Sequence, residues 1–454
     1  MSKAIEKDMT KGSPFGLILS FTVPVIIGNV FQQLYNMVDA VIVGRFVGVN
    51  ALAAVGMSGS IIFCILGFLN GVSAGFTVLT AKSFGAGQID KMKRSVYSAC
   101  ILCLCMTALL TVLSTSCLRG LLHLINTPED IFREAYTYLF ITFLGIWTQV
   151  LYNLMASLLR AIGNSKVPLY FLLFAVGLNV VLDLLFIIGF HMGTPGAAIA
   201  TVLSQGTAGI LCLIYILRQV PLLHVDKKNR VLEKEAVKFQ IRIGLPMGLQ
   251  FSITASGMII LQGALNNFGS KAVAGFTSAM KVMQVINQVM ISMGTTMATY
   301  ASQNMGAHRL DRIRKGQRAA IGMMTAYSVF IGLVLFFFGK YIVRIFIAGG
   351  QADVLIYPEQ YFSIASPFML VLASIFIYRN ILQGMGFGFI PMMAGVAELG
   401  ARSLAAYIAS HYVSFTGICL ADPFAWVAAA VPLFLTYLWT MKKLEGDFSH
   451  ERKK

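Results

Sequence analysis

The sequence predicts an all-α polytopic membrane protein with twelve transmembrane helices, arranged as two parallel-repeat six-helix lobes around a central cleft. Only 12% of the 454 residues are charged and 57% are hydrophobic, whereas soluble domains carry about 25% charged residues. Many uncharged stretches reach the roughly 20 residues that cross a bilayer core. A loop motif recurs once in each half of the chain, which indicates internal duplication.

The apolar stretches define the helices. Each is expected to be α-helical, because a lipid-exposed segment must satisfy its own backbone hydrogen bonds. The polar amino-terminal stretch and the long first span argue against a cleavable signal peptide. The predicted spans cover residues 15–44, 52–81, 95–118, 136–159, 167–190, 195–217, 243–267, 272–303, 319–339, 360–378, 391–411 and 416–441.

The net charge of +16 comes from basic residues in short loops between the spans. With the amino terminus in the cytoplasm, the inner segments carry 27 Lys and Arg residues and the outer loops carry 6. Cytoplasmic loops of membrane proteins are enriched in these residues. The pattern therefore predicts a multi-pass protein of the cell membrane, bacterial, with both termini cytoplasmic, and it explains the positive charge without a nucleic-acid partner.

The repeat is clearest in the loops. Gly85-Ala86-x-x-x-Asp90-Lys91-x-Lys93-Arg94 recurs as Gly306-Ala307-x-x-x-Asp311-Arg312-x-Arg314-Lys315, a shift of 221 positions, and a shift of 223 carries Gly163 and Pro168 onto Gly386 and Pro391. We predict an amino-terminal lobe over 1–220, a cytoplasmic linker over 221–239 and a carboxy-terminal lobe over 240–454. Because each repeat has an even number of spans, the lobes are parallel.

Small motifs inside the spans are interpreted as packing features. Gly67, Gly71 and Gly75 recur at four-residue spacing, which allows another helix to approach closely. Cys100 and Cys103 match a redox or metal-binding spacing, but within an apolar span they are interpreted as small core residues.

Two acidic residues stand within otherwise apolar spans of the first half, Asp39 and Asp183. A carboxylate there costs several kcal/mol unless a partner, a proton, a cation or water receives it. Asn179 shares a helix face with Asp183. Counted from the outer helix ends, Asp39 and Thr201 lie roughly 9 Å deep and Asp183 about 12 Å deep. We therefore predict a shared polar site in the outer half of the membrane.

Two neighbouring carboxylates cannot both stay ionised in a low-dielectric site without compensation. The pair could therefore take up a proton, or hold Na⁺ with oxygens of Asn179 and Thr201. The alternative is that Asp39 and Asp183 only hydrogen-bond neighbouring helices.

The second half contains a different set of polar residues. Glu398 and Arg402, four residues apart, are predicted to form a buried ion pair, with a structural role favoured over direct participation in transport. Asp422-Pro423 is interpreted as a feature of the helix start, and Lys281 either snorkels or faces the cleft. The remaining candidates could line a polar substrate cleft or bridge helices, and they are Gln250, Gln284 and Asn287.

Taken together, these motifs resemble those of a known family of membrane proteins. The chain resembles the MATE (multidrug and toxic compound extrusion) family over nearly its whole length, through the paired Gly-Ala basic loops and the following residues: Pro24, Asp39-x-x-x-x-Gly44, Ala51-Leu52-Ala53-Ala54-Val55-Gly56, Asn179-x-x-x-Asp183 and Gly196-Ala197-Ala198-Ile199-Ala200-Thr201. The resemblance implies a secondary exporter with two six-helix lobes, driven by inward H⁺ or Na⁺ flow.

The resemblance also implies a cation site in the amino-terminal lobe. Its members would be Asp39, Asn179, Asp183 and Thr201, with Tyr138 as the tyrosine of the fourth helix and Tyr136 as its rival. One departure matters, because some relatives carry a Glu eight residues after the proline of the seventh helix. Here Pro246 is followed at that distance by Thr254, which favours the amino-terminal site.

We therefore predict an antiporter that exports organic, amphipathic and cationic compounds or drugs in exchange for H⁺ or Na⁺. It would be a monomer without cofactor, ATP or catalytic activity. The first alternative is a flippase for a lipid-linked precursor, but a cationic cleft would be needed and only Lys281 and Arg402 appear basic within the spans. A membrane-embedded enzyme lacks a supporting motif, and a channel fits the twofold repeat less well.

Overall fold

The computed structural model describes residues 6–345 and 352–451, and this part of the chain is helical with no β-strand. It contains fifteen α-helices, joined by short turns and 3-10 segments. Their bounds are α1 Pro14–Phe46, α2 Val49–Phe76, α3 Val78–Gly85, α4 Ile89–Leu124, α5 Glu129–Leu144, α6 Ile146–Ala161, α7 Lys166–Leu184, α8 Thr194–Gln219, α9 Lys234–Leu265, α10 Gly269–Gly306, α11 Leu310–Val343, α12 Ala352–Ala365, α13 Met369–Met385, α14 Phe389–His411 and α15 Phe415–Glu451.

The predicted all-α membrane fold is confirmed. Within the described ranges, nine helical segments are long and apolar enough to cross a membrane, or ten when α5 and α6, bent by 45° against each other, count as one span. One segment, Lys234–Gly306, combines α9 and α10 into 73 residues. Because Glu398 and Arg402 lower its hydropathy, α14 is not among the nine. The count of twelve spans therefore stays a prediction.

The sequence repeat reappears in the helix boundaries. α13 and α14 begin 223 residues after α6 and α7, and α11 and α15 begin 221 residues after α4 and α8. The break between α5 and α6 at Gly145 corresponds to the 3-10 turn Ser366–Phe368 between α12 and α13. Each shift found in the loops thus also describes the helices next to those loops.

The chain forms two compact units. The first contains Met1–Met9 and Ser20–Ser252, and the second contains Thr10–Leu19 and Ile253–Lys454. The division falls inside α9, and the stretch 221–239, predicted as a linker, belongs to the first unit. That stretch is docked on the first unit, because Lys93 pairs with Asp226 at 2.7 Å and Arg94 pairs with Glu233. The Lys93 ammonium hydrogen-bonds the Asp226 carboxylate and holds the pKa of Asp226 below its ordinary value.

The first part of α9 packs closely on α2 through glycines of both helices. A Cβ atom added at Gly71 would lie 2.5 Å from the carbonyl oxygen of Met247, and one added at Gly75 would lie 2.5 Å from Cα of Gly244. Only glycine permits such backbone approach. This contact, which we call the glycine crossing, is the helix contact predicted from the spacing of Gly71 and Gly75.

Candidate ion-coupling site

Asp39 and Asp183 meet in the first unit. Asp39 lies on α1 with 7% of its surface exposed, and Asp183, near the end of α7, is fully buried. Their carboxyl groups lie within hydrogen-bonding reach of each other. Since two ionised carboxylates this close repel each other, the arrangement requires a proton between them or a cation beside them.

Most oxygens of this carboxyl pair have no hydrogen-bond donor. Among the described residues, no other group forms a hydrogen bond with Oδ1 of Asp39, with either carboxyl oxygen of Asp183, or with the side-chain amide of Asn179. Buried polar atoms are nearly always paired, and leaving one unpaired costs about 1–3 kcal/mol. Carboxylate and amide oxygens are the ligands that hard cations take, so these atoms fit a proton or Na⁺.

Tyr35, Tyr138 and Thr201 complete the site. The Tyr35 hydroxyl donates a hydrogen bond to Oγ1 of Thr201 at 3.1 Å. Tyr138 is buried within electrostatic range of Asp39 and Asp183. The sequence analysis did not single out Tyr35, although it lies four residues before Asp39 and therefore on the same helix face.

The two candidate tyrosines of α5 have separate surroundings. Tyr136 stacks on Phe140, with ring centroids 5.8 Å apart, and lies beneath the guanidinium of Arg119. Tyr138 instead packs among buried apolar residues of α1, α2 and α8. Because they are two residues apart, they point to different sides of the helix, and the structure brings Tyr138, not Tyr136, to the carboxyl pair.

Local irregularities position these side chains. α7 ends one residue after Asp183 and continues as a π-helical turn, Leu185–Gly189, a feature often found at functional sites. α8 begins with small buried residues, and a Cβ added at Gly196 would lie 3.1 Å from Cβ of Phe186 in the π-helical turn. The small residues thus let α8 approach α7 and bring Thr201 close to the acids.

The residues predicted for a substrate cleft divide between the units. Gln250 lies in the first unit, whereas Gln284 and Asn287 lie on α10 of the second. Gln284 and Lys281 are exposed, and Asn287 is half-buried. A substrate cleft lined by these residues stays a prediction.

The second unit contains a buried set of four charged residues, which we call the arginine–carboxylate network. The predicted ion pair is confirmed, since Nη2 of Arg402 lies 3.0 Å from Oε1 of Glu398. Nε of Arg402 lies 3.0 Å from Oδ1 of Asp422, and Nη2 of Arg379 lies 3.1 Å from Oε2 of Glu398. The hydroxyl of Tyr361 donates to Oδ2 of Asp422 at 2.9 Å.

Two interpretations of the sequence were wrong here. Asp422 is not a feature of the helix start, because α15 begins seven residues earlier at Phe415 and Asp422 is buried against Arg402. Arg379 is a third basic residue within the spans. The predicted span ended at residue 378, whereas α13 continues to Met385 and buries Arg379.

The cysteine, histidine and acidic residues were also compared with the requirements of a metal site. They contain no group of three or more His, Cys, Asp or Glu residues that could hold a metal ion. All seven cysteines are free thiols, and Cys103 is buried beside Ser73, as its interpretation as a core residue requires.

Long apolar helices, an internal repeat and a buried, largely unpaired carboxyl pair define a polytopic helical membrane protein of the transporter class. The MatE family model matches residues 24–185 and 246–408, one segment in each repeat. The chain belongs to the MatE family, the MATE transporters of the resemblance above, whose members are transporters and not enzymes.

Two relatives in bacteria agree with this membership. The chain is 30% identical over 381 residues to the probable multidrug resistance protein YpnP of Bacillus subtilis, covering 84% of each chain. It is 21% identical over 436 residues to the multidrug export protein MepA of Staphylococcus haemolyticus, covering 94% of each.

The fold matches that of an outward-facing multidrug resistance MATE family transporter of the MOP superfamily. The TM-score is 0.91 at 21% identity, covering 98% of this chain and 99% of the other. A MATE structure in complex with MaL6 gives a TM-score of 0.89 at 20% identity, covering 98% and 100%. These structural matches support the fold, and the comparisons give no support to the flippase alternative.

Proposed function

We propose that this transporter is a secondary active antiporter that exports organic, amphipathic cations or drugs in exchange for inward-moving H⁺ or Na⁺. The carrying observation is the buried Asp39 and Asp183 pair with three carboxyl oxygens that lack a donor. A purely structural pair would be expected to have its oxygens filled by donors from neighbouring helices. The names of the multidrug relatives support the substrate class.

The exchange follows from the charge of the pair. When both carboxyl groups are ionised, they repel each other and favour a conformation in which α1 moves away from α7. Protonation removes one charge, and Na⁺ held by Asp39, Asn179, Asp183 and Thr201 would neutralise one. Ion occupancy therefore shifts the balance between two conformations, as a coupling step requires. Substrate would bind in the inward-open state and leave when the ion enters from outside.

The proposal also covers the topology, the energy source and the oligomeric state of the transporter. We propose that both termini are cytoplasmic, because the basic residues cluster in the segments on that side. The ion gradient would supply the energy, so neither ATP nor a cofactor is needed. A monomer would suffice, since one chain contains both repeats.

Transport into inside-out vesicles tests the proposal. A pH gradient and a Na⁺ gradient are imposed separately, across a panel of organic cations and anions. We expect one gradient, and not the other, to drive uptake of amphipathic cations, and an ionophore that collapses the gradient to stop it. Uptake that needs ATP, or that ignores both gradients, would refute the antiporter.

A matched pair of tyrosine variants tests the composition of the site. Tyr138→Phe removes a hydroxyl close to Asp39 and Asp183. If this hydroxyl hydrogen-bonds the occupied site, that bond would contribute about 1.5–3 kcal/mol, so the apparent affinity for the coupling ion should fall about tenfold or more. Tyr136→Phe, two residues away, should leave it unchanged. The measurement is the ion-concentration dependence of efflux in proteoliposomes, and equal effects of both variants would contradict the assignment.

A further inference from the structure

The arginine–carboxylate network occupies positions of the second repeat that correspond to the candidate ion-coupling site. On α7 and α14, the shift of 223 that carries Pro168 onto Pro391 also carries Asn179 onto Arg402. On α8 and α15, the shift of 221 that carries Gly196 onto Gly417 also carries Thr201 onto Asp422.

Other members of the site correspond as well. Tyr138 lies on α5 and Tyr361 on α12, and the shift of 223 that relates these two helices carries Tyr138 onto Tyr361. Both tyrosines are buried next to an acid, since Tyr138 lies near the carboxyl pair and Tyr361 donates to Asp422. The network is therefore the second repeat's version of the same site.

The two versions of the site carry their acidic residues at different positions. On α1 and α9, the shift of 222 that carries Pro24 onto Pro246 puts Leu261 at the position of Asp39. Ala406 stands at the position of Asp183. The second version has thus lost both acids of the first and has instead Asp422, at the position of Thr201, and Glu398 on α14.

A glycine provides the space for the guanidinium group of Arg402. The shift of 222 puts Gly257 at the position of Tyr35. A Cβ added at Gly257 would lie only 2.8 Å from Nη1 of Arg402. The tyrosine ring of the first version would therefore collide with the guanidinium in the second, so the loss of the ring and the gain of the arginine belong together.

The two versions differ in how their carboxyl oxygens are filled. In the second unit all four are filled, because Arg402 reaches Asp422 and Glu398, Arg379 reaches Glu398, and Tyr361 reaches Asp422. In the first unit three of the four receive no hydrogen bond from another residue. The second version carries its own cations, whereas the first must obtain a proton or a cation from solution.

We propose that Asp422, Glu398 and Tyr361 form a cation-binding cage whose occupant is the tethered guanidinium of Arg402. The second unit therefore binds no exchangeable ion, and removal of the Arg402 side chain opens the cage to a free guanidinium-type cation. The proposal rests on the proposed function only in taking the first-unit site as the exchangeable one. The cage itself can be tested without transport.

The test is chemical rescue of Arg402→Ala in purified full-length protein. Its melting temperature is measured with millimolar guanidinium, with urea as the neutral analogue, and with Na⁺. We expect the variant to melt well below the unsubstituted protein and to recover most of the loss, saturably, with guanidinium but not with urea. Addition of Asp422→Asn to Arg402→Ala should weaken this rescue, because it removes one of the carboxylates that hold the cation.

Arg312→Ala is the matched control. Arg312 is a buried arginine of the second unit that donates to the amide oxygen of Asn304 and the carbonyl oxygen of Gly12. Guanidinium should not restore this variant to a comparable degree. Failure to rescue Arg402→Ala, or equal rescue of both variants, would overturn the cage.

A second measurement applies if Arg402→Ala does not accumulate. In Asp39→Asn/Asp183→Asn, we expect no saturable stabilisation by Na⁺ to remain, because the cage is filled by Arg402. A stabilisation that remains there and disappears when Asp422→Asn is added would overturn the proposal. Guanidinium rescue of Arg402→Ala, together with no antiport by the unsubstituted protein in vesicles, would refute the proposed function and leave the cage intact.

Discussion

Asp183→Asn and Asp39→Asn are each expected to abolish ion-driven efflux while the protein remains folded in the membrane. The amide has the same shape as the carboxyl group but cannot exchange a charge, so the site no longer changes its charge during a transport cycle. Loss of one strong charge-assisted interaction alone weakens ion binding roughly 100-fold. Folding should persist, because either substitution removes the repulsion between the two carboxyl groups.

Efflux of a recognised substrate from proteoliposomes, driven by the gradient identified in vesicles, measures the effect. Asp130→Asn is a suitable control, because Asp130 is an exposed acid at the start of α5. It should transport normally, and all three variants should elute as monodisperse protein. Normal efflux by Asp39→Asn or Asp183→Asn would defeat the assignment of the coupling site.

Much of this site could be predicted because a buried acid is so costly in an apolar helix. Asp39 and Asp183 stand out without any knowledge of the fold, and helix rise alone places them at a similar depth. Depth does not fix direction, however. The choice of Tyr138 over Tyr136 depended on how α5 is rotated against α1 and α7, which hydropathy does not determine.

The errors arose at helix ends, where apolar length gives a poor boundary. Arg379 lay one residue beyond a predicted span and was therefore not counted within it, and Asp422 lay near the start of another and was interpreted as a feature of the helix start. In the fold, α13 continues past residue 378, and Arg379 and Asp422 each pair with an opposite charge inside the second unit. A buried base can end a hydropathy window and still lie in the helix core when its partner is on another helix.

The stretch 221–239, predicted as a cytoplasmic linker, makes contacts that the sequence analysis did not predict. The Lys93 and Asp226 pair and the Arg94 and Glu233 pair bind it to the repeated basic loop of the first unit. Each pair joins residues more than 130 positions apart, which no local pattern can reveal.

The glycine crossing should be a sensitive packing contact of the first unit. In Gly71→Val, the new Cβ would lie 2.5 Å from the carbonyl oxygen of Met247 and 2.8 Å from its carbonyl carbon. These are backbone atoms, so no side chain can turn away and α2 must separate from α9. Overpacking of this kind costs about 1–3 kcal/mol, and more where the backbone must move. We therefore expect a large drop in the melting temperature.

Gly59→Val on the same helix provides the comparison. A Cβ at Gly59 would meet no atom within 4 Å, so the same substitution adds the same apolar volume without a collision. Since glycine and valine differ in intrinsic helix propensity, any change common to both variants reflects that difference and not the packing. Thermal unfolding of the two purified variants separates that cost from the packing cost. Equal melting temperatures would show that close approach of α2 and α9 through Gly71 does not stabilise this unit.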